Sequence, residues 1–215
     1  MVQPFVERPT LHPRGFNFQA SLPYGLRVVE IRAAMEDLYD FLHNVNRFLT
    51  SKGWDRLEEM LSAAGFSGLM SELVVQSLSK HSASMTKNRW HNGRPDLVPG
   101  GVYPDDAVLA GDQGIEVKAS RYGGGWQGHN VETGWIMIFQ YQIDLQTEPP
   151  EQRKPTAFQR VLTAELAADD WRFSGRRPGS RRTITASILS SGLAKLEANA
   201  VYVDPAYAAS RGVRI

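Results

Sequence analysis

Between Leu26 and Thr50 apolar residues recur at alternating steps of four and three: Ile31, Met35, Leu38, Leu42, Val45 and Leu49. That spacing puts them on one stripe of a helix, with Glu30, Arg32, Glu36, Asp37, Asp40, Asn44 and Arg47 on the other faces. A core-facing helix is expected, and the same repeat also suits a helix pair between two copies. Trp54 to Ala64 reads as a second, shorter helix stopped by Gly65. Leu69 to Lys80 reads as a third, with Leu69, Leu73, Gln76 and Lys80 on one side and Met70, Val74 and Leu78 shifted slightly round.

The pattern then changes. From Pro95 to Lys118 the chain is rich in Gly and Pro, with short apolar runs at Leu97-Val98, Ala107 to Ala110 and Ile115 to Val117, as in a hairpin or meander. Gly123 to Gly125 predicts a mobile break. Trp135 to Leu145 has the density of apolar and β-branched residues expected of a buried central strand. Further strands are expected at Phe158 to Leu166 and Thr183 to Leu189. A short helix is expected at Gly192 to Asn199, N-capped by Ser191, and a closing strand at Val201 to Val203. Residues 1–25, with Pro4, Pro9, Pro13 and Pro23, read as an extended arm laid on the body. Helices first and a mixed sheet afterwards predict one α/β domain over 1–215: the arm, a helical layer over 26–82, and a sheet over 90–215.

Composition narrows the chemistry. The 215 residues are 42% hydrophobic and 22% charged, which suits a globular chain. No apolar run approaches a membrane span, and the first residues lack the basic-then-apolar order of a signal peptide, so a cytoplasmic location is expected. With no cysteine, disulfides, thiol catalysis and thiolate zinc sites are excluded. A metal would rest on oxygen or His ligands, which favours magnesium, manganese or calcium. The net charge is +1, yet Arg172, Arg176, Arg177, Arg181 and Arg182 gather in residues 172–182 without an acid, a patch able to hold a polyanion.

Gly114 to Ser120 reads Gly-Ile-Glu-Val-Lys-Ala-Ser, and Pro95-Asp96 lies upstream. In a strand, residues two apart share a face, so Glu116 and Lys118 project together while Val117 points to the core and lends its carbonyl. Phosphodiester hydrolysis needs charge neutralisation on the phosphate, an activated water and a stabilised leaving oxygen. Carboxylates with a divalent cation, and a lysine beside them, supply these. Glu-X-Lys alone is common as a solvated pair on an edge strand. Here Ile115 and Val117 flank it as a buried strand would require, and an acid follows a proline upstream.

Taken together, Pro95-Asp96 and Glu116-Val117-Lys118 resemble the PD-(D/E)XK nuclease superfamily, as found in type II restriction endonucleases. The resemblance covers about twenty-five residues. It implies a restriction-endonuclease-like mixed β-sheet core behind an N-terminal helical layer. It further implies Asp96 and Glu116 as metal ligands, the Val117 carbonyl as another, and Lys118 as the water-orienting group. Glu72 matches an acid that members often carry on the preceding helix. Gln127 and Gln140 are candidates for a polar residue that often follows the motif. The expected cofactor is Mg²⁺, with Mn²⁺ able to substitute; the expected partners are double-stranded DNA and a second copy of the chain. A nuclease of repair, recombination or transposon ends, or a catalytically silent DNA-binding module, are the alternatives.

A second Pro-Asp, at Pro104-Asp105-Asp106, competes for the role of first ligand, but its surroundings read as an exposed turn. Arg121, Tyr122, Trp126, Gln127 and His129, in the glycine-rich stretch after the motif, are candidate DNA contacts. So are the five arginines of residues 172–182. That stretch has no Gly-Lys-Ser/Thr, so no nucleotide cofactor is expected. His91-Asn92 and His129-Asn130 lack the spacing and the helix that an HNH site requires.

Overall fold

A computed structural model describes residues 6–124, 126–128, 131–173 and 186–212. The chain is mixed α/β. Its elements are α1 (Val28–Ser51), α2 (Leu57–Met60), α3 (Ala63–His81), β1 (Met85–Lys87), β2 (Leu97–Pro99), β3 (Ile115–Ser120), β4 (Gln127–Gly128), β5 (Gly134–Gln142), β6 (Ala157–Leu166), β7 (Trp171–Phe173), β8 (Ala186–Ile188), α4 (Ser190–Ala198), β9 (Ala200–Val203) and α5 (Pro205–Arg211). Six strands form the main sheet in the order β1-β2-β3-β5-β6-β9, and β4-β8-β7 form a small second sheet. β3 and β5 run parallel; the other pairs of the main sheet are antiparallel.

The period of two along β5 explains the layering. Met137, Phe139 and Tyr141 enter one core with Met35, Leu38, Met70 and Val74 from α1 and α3. Ile136 and Ile138 enter another with Trp126, Trp171 and Leu196, under α4 and the small sheet. The sheet is therefore covered on both faces, which is why β5 reads as an almost continuous apolar run. Gln159 bulges out of the β5–β6 ladder, so Phe158 and Val161 share the α1–α3 face although three residues apart.

Several elements differ from expectation for local reasons. Glu30, expected on the polar side of α1, is buried: its carboxylate accepts from Arg27 N at 2.8 Å and pairs with the Arg27 guanidinium, closing the helix start. The helix expected over Trp54 to Ala64 is only the single turn α2. Ser62 then starts α3, its Oγ accepting from Gly65 N, so Gly65 lies in the first turn of the next helix and terminates nothing. Ser191 lies inside α4 and Leu189 occupies the N-cap position. Ala107 to Ala110 forms no strand; Ala110 makes an isolated bridge with Arg94. Of the strand expected over Thr183 to Leu189, β8 supplies 186–188, and 183–185 lie outside the described residues. The described part of the arm does lie on the body, with Leu11 and Phe16 buried and Phe16 bridged to Tyr202. Among the described residues no helix is long and apolar enough to cross a membrane.

Candidate active site

The main sheet forks between β2 and β3. Leu97 pairs with Ile115, and no further pair joins the two strands. The Val117 and Ala119 amides on the forked edge must find partners elsewhere. Asp96 Oδ2 accepts from Val117 N at 2.8 Å, and Ser71 Oγ on α3 accepts from Ala119 N at 2.9 Å. The N–H and C=O of one strand residue point to the same edge, so the Val117 carbonyl also faces the fork. The acid after the proline is thus fastened to the middle residue of Glu-Val-Lys, and a cleft of about 1760 Å³ opens over the junction.

Glu116, Lys118 and Asp96 line this cleft together. Lys118 Nζ lies 3.5 Å from Glu116 Oε1 and 2.8 Å from Glu132 Oε2, with all three side chains at most 17% exposed. The Glu132 contact is a charge pairing without hydrogen-bond alignment. Burial pushes the Glu116 carboxyl up to about 7, reinforced by the Asp96 charge and opposed by Lys118. Burial also raises Asp96, against the pull of the Val117 amide and of Lys118. Three carboxylates share one ammonium in this group, so when all are ionised it carries an excess of two negative charges. That imbalance is what a divalent cation would relieve.

Among the described residues, no three His, Asp or Glu side chains are grouped as a complete metal site. The donor chemistry nevertheless suits Mg²⁺. That ion is commonly held by one or two carboxylates, keeps several waters and takes further oxygens from a phosphate. Asp96 Oδ1 makes no hydrogen bond among the described residues, and neither does the Glu116 carboxylate beyond its charge contact with Lys118.

The other expected residues divide. Glu72 lies on α3 at the cleft, close enough to raise Asp96, but its carboxylate is largely exposed and pairs with Lys87 at 2.8 Å. Asp105 and Asp106 lie in an exposed turn bordering a separate depression, where Asp106 Oδ1 accepts from Gly101 N; the fork holds Asp96 instead. Tyr122 is exposed at the cleft, with Arg121 stacked on its ring and donating to its hydroxyl. Gln127 also lines the cleft from β4. Trp126 is a correction: it is 5% exposed and packed in the second core, its indole N–H donating to Tyr122 O, so its ring has no free face for a base. Gln140 is buried, accepting from Arg160 and donating to Gln159. Arg172 is exposed on β7 in the small sheet. His129, Arg176, Arg177, Arg181 and Arg182 lie outside the described residues.

Two contributors were not anticipated. Glu132 stands just before β5, and since β3 and β5 run parallel their starts lie side by side. Only that pairing, which the sequence does not announce, brings Glu132 to Lys118. Arg160 is the other. Its guanidinium donates to Gly123 O at 2.6 Å and to Glu197 at 2.9 Å, and lies 5.7 Å from the ring centres of both Trp126 and Tyr207. The glycine run expected to be a mobile break is therefore anchored at Gly123. No family model, curated protein or solved structure matches the chain.

Proposed function

We propose that this protein is a metal-dependent endonuclease that hydrolyses DNA phosphodiester bonds, with a restriction-endonuclease-like core. The observation that carries the reading is the meeting of Asp96, Glu116 and Lys118 at one fork in the sheet, on the wall of a cleft large enough for a nucleic-acid strand. Asp96, Glu116 and the Val117 carbonyl would hold Mg²⁺. The bound ion supplies charge neutralisation on the phosphate and acidifies a water. The residues of the chain have three tasks. Asp96 is oriented by the Val117 amide, so its second oxygen is presented in one direction. Glu116 gains from a cation the compensation that its buried setting lacks. Lys118, steadied by Glu132, keeps an ammonium beside the position where a water or phosphate oxygen would lie. Sequence-specific cutting of double-stranded DNA by a homodimer, as in type II restriction, is the expected form, because two active sites cut two strands.

The test is plasmid cleavage in Mg²⁺ by the wild type and by Asp96→Asn and Lys118→Ala. Wild type and both variants are expected to melt cooperatively. Cleavage should fall by roughly a hundredfold or more. Fragments with fixed ends support restriction. Undiminished cleavage by both variants removes the site.

A further inference from the structure

Asn88 and Asp96 close a short loop, since Asn88 N donates to Asp96 O at 2.9 Å. The loop is held unusually firmly. The buried Asn88 side chain donates to Pro95 O and Val108 O and accepts from Trp90 N and Val108 N. Arg89 N donates to Asp106 O, and Gly93 N to Trp90 O. Gly93 is packed so closely that a Cβ there would lie 2.2 Å from Val108 O. Yet this rigid loop presents Trp90 to solvent, 49% exposed, on the cleft wall between Arg89 and His91. A large aromatic surface fixed by its backbone and left in water is a platform for a flat partner. β3 provides a second aromatic at its far end. The loop closes at the Ile115 end of the strand, while Tyr122, 60% exposed with Arg121 against its ring, follows the Ser120 end. Five residue steps, about 17 Å at roughly 3.3 Å each, separate the two ends of this strand, with Glu116 and Lys118 between them.

We propose that Trp90 stacks on a base of the DNA strand whose phosphate lies at Asp96 and Glu116, so that the duplex is locally splayed there and a duplex already opened at that point binds more tightly. The inference rests on the nuclease reading for its placement and on the aromatic and basic surface for its chemistry. Bases paired inside a duplex hide their faces in the stack, whereas an unpaired base offers one to an aromatic side chain, and arginines nearby hold the backbone. Arg89 and Arg94 line the same cleft and offer positive charge to that backbone, while Lys87 beside them is paired with Glu72.

The experiment measures binding of the full chain to a twelve-nucleotide oligo(dT), a continuous duplex and a duplex with a short single-stranded gap, without divalent ion so that nothing is cut. Trp90→Ala is expected to weaken oligo(dT) and gapped-duplex binding about fivefold or more, the effect of losing one aromatic stack. Trp90→Phe should retain most of it and guards against a folding defect, and Trp54→Ala, which removes the other strongly exposed tryptophan, should change nothing. Tryptophan fluorescence quenched by oligo(dT) should lose its main component in Trp90→Phe. Equal binding by wild type and Trp90→Ala, or tighter binding of the continuous than of the gapped duplex, overturns the proposal. The two readings fail separately: Trp90-dependent binding without any metal-dependent cleavage removes the nuclease and keeps the platform, while cleavage unaffected in Trp90→Ala does the reverse.

Discussion

Glu116→Gln should make the protein more stable at pH 8, although it removes a residue proposed as essential. The Glu116 carboxyl is raised from its ordinary 4.5 to about 7 by burial and by the charge of Asp96. Between those values the folded state holds a proton that the unfolded state has released, so stability falls as pH rises. Below about pH 4.5 both states are protonated and the effect vanishes; above about pH 7 the whole penalty is present. The gap is worth about 3 kcal/mol, which for a chain of this size is roughly 6 to 12 °C in melting temperature. Gln fills the same volume without the charge. Urea unfolding of both proteins at pH 5 and pH 8 in EDTA should therefore show the curves drawing apart at the higher pH, with the variant ahead. Mg²⁺ should then raise the wild-type melting temperature at pH 8 more than at pH 5, since a deprotonated Glu116 is the form that would bind it under the proposed reading, and should leave Glu116→Gln nearly unmoved. Parallel pH dependences, or a variant less stable than wild type at pH 8, would refute the reasoning.

Asp37 shows the opposite sign. Partial burial pushes it up, but hydrogen bonds from Ser77, Lys80 and His81 outweigh this and draw it down to about 2. Its contribution is present above about pH 4 and is lost as pH falls toward 2, so Asp37→Asn should lower stability at pH 6 by roughly 1 kcal/mol after allowance for solvent screening, a difference that acid titration of the unfolding free energy should erase. Arg160→Met should cost about 2 to 4 kcal/mol in urea unfolding, because Gln140 and the Gly123 carbonyl lose their charged donor. Protease cleavage near Gly123 should rise in that variant, and an unchanged digestion pattern would show that the anchor is dispensable.

Much of the fold could be read from periodicity. The four-three repeat of α1 and the apolar density of β5 each met a buried partner surface, because each pattern matches the geometry of one element. Boundaries set by single residues misled. Gly65 resembles a helix stop, yet the Ser62 hydroxyl turns it into the first turn of α3. Asp96, Glu116 and Lys118 come together because a strand places Glu116 and Lys118 on one face and the fork leaves an amide for Asp96 to accept from. Glu132 and Arg160 were invisible since they act across strands whose neighbours depend on pairing order. Trp126 shows the converse limit. A tryptophan among glycines looks like a surface contact, but the small sheet folds over it.

Arg160 also ties the cleft to two helices that follow the fork in the sequence. Glu197 belongs to α4 and Tyr207 to α5, and both hold the guanidinium that grips Gly123. A chain ending before Ser190 would contain Asp96, Glu116, Lys118 and Arg160, but neither Glu197 nor Tyr207 to hold the Arg160 guanidinium in place. The clamp is complete only when α4 and α5 have docked beside β6, so this wall of the cleft depends on residues far along the chain from the fork itself.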